Sequence, residues 1–101
     1  MNLIWTSLAE KSYNQNIEYL LEEWSLKVVQ HFILEVERTM NIVKESPNCF
    51  QEWEFDKTFR MGLIHENISF FYKIHTTEIV VYLFWNNLQN PKKLKKQLLK
   101  P

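Results

Sequence analysis

The hydrophobic residues of this chain change period once, at Pro47–Asn48, and that change constrains what the chain can fold into. Before the break, apolar residues recur every three or four positions, the repeat of a helix with one buried stripe. After it they alternate, the repeat of a strand with one buried face. Helices followed by strands, rather than interleaved with them, predict an α+β fold with the helical part packed on an antiparallel sheet.

In the first half, a short apolar run, Leu3-Ile4-Trp5, precedes Ser7, and Glu10 follows Ser7 at the spacing of a helix capping box. The pattern predicts a helix from there, with Ala9, Tyr13, Ile17, Leu20 and Leu21 on the apolar side and Glu10, Lys11, Glu18 and Glu22 opposite. The stretch 22–25 interrupts it, and Ser25 can cap a second helix. That helix carries Val29, Phe32, Ile33, Val36, Met40 and Val43 on one side, with Lys27, Gln30, His31, Glu35 and Arg38 on the other. Pro47 and Asn48 end it, because a proline disfavours helical geometry in the residue before it. The short link predicts an antiparallel helical hairpin.

In the second half, Ile68, Phe70, Tyr72 and Ile74 share one face of a strand over 68–74, and Ile79, Val81, Leu83 and Trp85 share one face of a strand over 79–85. Residues 59–64 predict a third strand, and Trp53 with Phe55 hints at a fourth or at a sheet-edge segment. The links at Glu66-Asn67 and at 75–77 are short enough for hairpins. The expected architecture is the helical hairpin on one face of a three- to four-stranded twisted antiparallel sheet. The other face still holds Phe71, Val80, Tyr82 and Phe84, so it needs a cover, either from a partner or from the chain's own loops and tail. Gly62 is the only glycine, which excludes a glycine-rich phosphate cradle.

With 101 residues, the chain has the length of one domain, and four Trp, seven Phe and four Tyr carry too much apolar surface for intrinsic disorder. Its 12 basic and 12 acidic side chains cancel, but unevenly. Lys92, Lys93, Lys95, Lys96 and Lys100 crowd the last ten residues, leaving 7 basic against 12 acidic groups in residues 1–91. An acidic body is unlike a nucleic-acid binder that is basic throughout. We therefore read residues 1–91 as the domain and 92–101 as a basic tail. If helical, the tail sets Leu94 and Leu98 one turn apart among lysines, an amphipathic element suited to a polyanion or an acidic surface. No apolar run is long enough for a membrane span, and no signal peptide is expected, which points to the cytoplasm.

Few residues suggest chemistry. His31 lies on the polar side of the second helix, and His65 and His75 flank one strand, more than about 20 Å apart at strand rise, so no shared metal is expected. Cys49 has no sequence neighbour that would lower its pKa, and as the one cysteine it fits a reducing compartment. No cofactor is expected. What remains is a set of cations and aromatics in the sheet half: Lys57, Arg60, Lys73, Tyr72, Tyr82 and Trp85. Such a set can hold a phosphodiester and stabilise developing negative charge. Equally, Lys57 and Arg60 can simply balance Glu52, Glu54 and Asp56.

The order of elements, together with Ile4-Trp5-Thr6 followed by Ala9, Tyr19-Leu20, Trp24-Ser25, Pro47, Arg60, Phe71-Tyr72-Lys73-Ile74, Phe84-Trp85-Asn86-Asn87 and Gln89-Asn90-Pro91, resembles the RelE/ParE superfamily of bacterial toxins from type II toxin–antitoxin modules. The resemblance covers nearly the whole chain and implies the same fold. It also implies growth arrest and plasmid-stabilisation roles, by ribosome-dependent mRNA cleavage in RelE-like members or by inhibition of DNA gyrase in ParE-like members. A cognate antitoxin would neutralise the toxin. Arg60, with Lys57 close by, matches a position where the nuclease branch keeps a basic residue, so these two are the candidate catalytic cations. Lys92, Lys93, Lys95 and Lys96 are candidate target contacts, and Phe71, Val80, Tyr82 and Phe84 candidate antitoxin contacts. Ser69, Leu88 and Gln89 stand where the pattern has arginines, leaving the nuclease set incomplete and making a catalytically degenerate, antitoxin-pairing module the alternative.

Overall fold

The computed structural model describes residues 1–99; Lys100 of the basic tail lies outside them. The chain runs through β1 (Asn2–Trp5), α1 (Ser7–Glu23), α2 (Leu26–Glu45), β2 (Gln51–Trp53), β3 (Asp56–His65), β4 (Ile68–Ile74), β5 (Glu78–Asn86) and α3 (Pro91–Leu98). The helical hairpin packs on a sheet, as its periodicity predicts. The sheet has five strands rather than three or four, in the order β1-β5-β4-β3-β2. The additional strand is β1, which pairs parallel to β5 and makes the sheet mixed. Three apolar residues in a row are too few to reveal a strand by alternation, and a parallel partner more than seventy residues away leaves no local signature.

Caps set the helix ends. Thr6, not Ser7, caps α1: its hydroxyl accepts from the Ala9 N–H at 3.0 Å. The same residue ties the helix to the sheet, its N–H donating to the Val81 carbonyl at 3.0 Å and its hydroxyl to the Tyr82 carbonyl at 3.2 Å. Ser25 caps α2 as expected, accepting from the Val28 N–H at 3.3 Å. Ala9, Leu20, Val29, Phe32, Val36, Met40 and Val43 are buried against the sheet, but Leu21 and Ile33 are exposed, one position off the buried stripe of each helix.

The faces of the sheet depart from strict alternation at one point. β5 holds an extra residue, Tyr82, between the pairs Tyr72–Val81 and Phe71–Leu83. A one-residue bulge exchanges the two faces beyond it. Ile79 and Val81 face the helices, but past the bulge Phe84 takes that side, while Leu83 and Trp85 turn to the far side with Phe71. This corrects the assignment of Leu83 and Trp85 to the helix side, and of Phe84 to the far side.

Two buried polar residues support the bulged strand. Where β1 ends, side chains of α1 continue the pairing: the Phe84 N–H donates to Ser12 Oγ at 2.9 Å and the Asn16 amide donates to the Phe84 carbonyl at 3.1 Å. Buried backbone groups must find partners, so Ser12 and Asn16 occupy core positions that the apolar pattern alone would have given to hydrophobic residues. Gly62 lies under Phe50 and Phe70, whose rings stand 2.5 and 2.7 Å from where its Cβ would be. Glycine is needed there for the close approach of the rings.

Candidate functional site

The far face of the sheet gathers most of the residues singled out for chemistry. Trp53, Phe59, Phe71, Leu83 and Trp85 form a second buried cluster there, joined at its margin by Met61 and Tyr82. The chain's own tail covers it. Asn90 caps α3 by accepting from the Lys92 N–H at 3.0 Å, Pro91 opens the helix, and Leu94 and Leu98 pack on the cluster. Of the two covers anticipated for this face, the structure therefore supplies the internal one, at least over these residues.

Cations ride on the aromatic rings of this face. Lys73 Nζ stands 4.4 Å from the centre of the Phe59 ring and 5.5 Å from that of Tyr82, which meet edge to face at 5.2 Å. Lys95 Nζ lies 3.7 Å over the ring of Phe55, whose own edge contact is to Trp53 at 5.5 Å. A cation over an aromatic face is held by the ring quadrupole, so both lysines are partly satisfied without a carboxylate. The neighbouring Asp56 carboxyl is held below its ordinary pKa chiefly by hydrogen bonds from the Thr58 hydroxyl, at 2.6 Å, and the Thr58 N–H, at 3.0 Å, with a smaller contribution from Lys73.

Arg60 belongs to the other face. It pairs with Tyr72 across β3 and β4, and its guanidinium donates to the Phe50 carbonyl at 2.6 Å and to the Asn48 carbonyl at 3.4 Å. Tyr72 donates to the Pro47 carbonyl at 2.6 Å. Together they clamp the connection between α2 and β2. Burial pushes the Tyr72 hydroxyl up to about 12, reinforced by the Cys49 thiol and opposed by the Arg60 charge. Lys57 is exposed near the start of β3, where the pairing with β2 slips between Trp53–Asp56 and Glu52–Arg60, so it is not in regular alternation with Arg60.

The remaining candidates are dispersed. Phe71, Val80 and Phe84 are buried and Tyr82 is half-buried, with Phe84 packed among the helices on the opposite side from Phe71. Lys92, Lys93 and Lys96 are exposed on α3. His31 and His75 are exposed, while His65 Nδ1 is buried without a hydrogen-bond partner beside Trp24. Among the described residues no three His, Cys, Asp or Glu side chains come together. No helix is long and apolar enough to cross a membrane. On the helix side, an open groove of about 500 Å³ runs between β1 and the two helices, lined by Trp5, Tyr13, Ile33, Val36 and Met40, with Lys44 at its rim. Sequence reading missed this groove and the Phe55–Lys95 stack. Both join residues forty or so positions apart, and no local pattern encodes that distance.

No family model and no curated protein matches the sequence. The architecture, by contrast, matches solved structures over most of the chain. It superposes on a chain described as the chromosomal ParDE TA system from P. aeruginosa with a TM-score of 0.71 at 13% identity, covering 85% of this chain and 95% of that one. The chain has the RelE/ParE toxin fold. It is also similar to a YoeB/ParE toxin from Agrobacterium tumefaciens, with a TM-score of 0.61 at 13% identity over 85% of this chain and 98% of that one. A YoeB dimer from Staphylococcus aureus superposes with a TM-score of 0.60 at 8% identity, covering 82% and 92% of the two chains. The toxin fold is thus retained here at an identity where side-chain chemistry is free to differ.

Proposed function

We propose that this chain is the toxin of a toxin–antitoxin pair and that it arrests growth by binding and blocking DNA gyrase, in the ParE manner, with a cognate antitoxin neutralising it in the cytoplasm. The observation that carries the reading is the engagement of Arg60 with the connection between α2 and β2. Cleavage of an RNA phosphodiester needs cations and a proton-transfer group converging on one phosphate. Lys57 is exposed, and the Arg60 guanidinium is already engaged by the Phe50 and Asn48 carbonyls. Lys73 on the far face is stacked on Phe59 and Tyr82. A surface of this kind supports binding better than cleavage. The groove beside β1 offers an antitoxin apolar anchorage that Phe71 and Phe84, buried on opposite faces, do not.

The match of Arg60 to a basic position of the RelE-like nuclease branch favours a second reading, ribosome-dependent mRNA cleavage, in which Arg60 supplies the charge. Induced expression separates the possibilities. Growth arrest with inhibited supercoiling by purified gyrase and intact mRNA on translating ribosomes is the expected result. Cleaved mRNA that becomes intact with Arg60→Ala would overturn it in favour of the second. Normal growth with folded protein accumulating would leave a degenerate module that only pairs with an antitoxin.

A further inference from the structure

The concentrated charge on α3 plays no part in that reading, and the helix is built to display it. At about 100° per residue, Leu94 and Leu98 share the inner side, Lys95 and Gln97 flank them, and Lys92, Lys93 and Lys96 span the outer side. The packing follows this division, with the leucines on the far-face cluster and those three lysines exposed. None of the four lysines has a carboxylate within ion-pair distance; among the described residues the one such pair is Arg38–Glu35 at 2.9 Å. Lys92 and Lys93 also sit in the first turn, where no acid offsets the positive end of the helix dipole. That arrangement works against the isolated helix and is relieved when an anion approaches.

We propose that the outer side of α3 binds the phosphate backbone of duplex DNA without reading its sequence. A duplex has the charge density that a short row of lysines needs, about one charge per 1.7 Å. A single strand would gain most from free aromatic planes on which its bases could stack. Here the candidate planes are occupied, Phe55 by Lys95 and Phe59 with Tyr82 by Lys73. An anionic membrane fits less well, because the leucines that would enter it are packed on the sheet. The acidic body keeps the contact to this one helix, so binding is weak and strongly dependent on salt. The biological use of this contact rests on the gyrase reading, since gyrase works on duplex DNA. A supercoiling assay tests that reading and a binding assay tests this one, so the two fail separately.

The test is anisotropy of a labelled duplex of about 20 base pairs titrated with the full chain over a range of salt concentrations, with a log–log slope near −3 expected for three phosphate contacts. Lys92→Gln/Lys93→Gln/Lys96→Gln should weaken binding at low salt by about tenfold or more and move the slope by roughly 2 to 3 toward zero. Lys11→Gln/Lys27→Gln/Lys44→Gln, an equal loss of exposed charge on the helical hairpin, should leave the slope unchanged. The proposal is overturned if the wild-type chain shows no salt-dependent binding, or if the α3 variant, its fold checked by circular dichroism, keeps the wild-type slope. Tighter binding to a single strand than to the duplex also overturns it, as does binding to phosphatidylserine vesicles without binding to DNA.

Discussion

The two faces of the sheet are both apolar, yet they are covered in different ways. The helix side lies beneath α1 and α2, and its core takes thirteen buried residues from α1, α2, β4 and β5. The far side is a smaller cluster of five buried residues beneath one eight-residue helix, which contributes two half-buried leucines and no buried residue of its own. The first cover cannot be removed without unfolding the protein. The second is joined through the exposed segment 87–90 and held by a few side chains, so its loss should leave the fold standing.

The largest effect should therefore come from the helix side. Phe70 is fully buried there, stacked on Tyr72 at 5.5 Å and in edge contact with Phe50 at 5.2 Å. Phe70→Ala should lower unfolding free energy by about 3 to 5 kcal/mol in urea denaturation. A loss as large from Leu98→Ala would contradict the difference between the two faces.

Next in size is a dependence on pH. The Tyr72 hydroxyl, raised by burial to about 12 from an ordinary 10.0, favours the protonated form in the folded state. Its contribution is present in full below pH 10 and is lost as pH rises through about 12. Two pH units correspond to on the order of 2 kcal/mol. Denaturation midpoints measured across that range should fall, and Tyr72→Phe should remove that part of the fall. An unchanged profile in the variant would assign the alkaline loss to other groups.

Asn16→Ala should cost about 1 to 3 kcal/mol, since it strips the Phe84 carbonyl of its donor in a buried site. If α1 does complete the pairing of β5, Asn16→Asp should be at least as harmful, because an acceptor would replace the donor that both the Ser12 and Phe84 carbonyls use.

Much of this was legible in the sequence. The helical hairpin, its Ser25 cap, the β4 strand at 68–74 and the two hairpins follow from period and punctuation, which are local. What failed was non-local. The β5 bulge at Tyr82 lies where Thr6, Ser12 and Asn16 meet the strand from across the fold, and no pattern within 79–85 announces an extra residue. The parallel pairing of β1 was hidden for the same reason. In the candidate site, Lys57 and Arg60 looked like one basic patch because they are three positions apart. On a helix that spacing would bring them together; here the β2–β3 pairing slips between them, and Arg60 is drawn to the Asn48 and Phe50 carbonyls while Lys57 stays exposed.

The smaller effects belong to α3. Leu98→Ala should cost only about 1 kcal/mol because the leucine is half-buried, but it should shift tryptophan emission to the red as Trp53 and Trp85 gain water. Phe70→Ala, in the folded state, should not. Lys95 over the half-exposed Phe55 is the weakest link, worth about 0.5 to 1 kcal/mol. A double-mutant cycle with Lys95→Ala and Phe55→Leu isolates it, because each change alone also alters helix propensity or apolar area. A coupling in that range would mean that the β2–β3 hairpin helps to hold α3 down. A coupling of zero would leave the helix held by its two leucines, and would predict that removing both frees the far face while the helix side keeps its full stability.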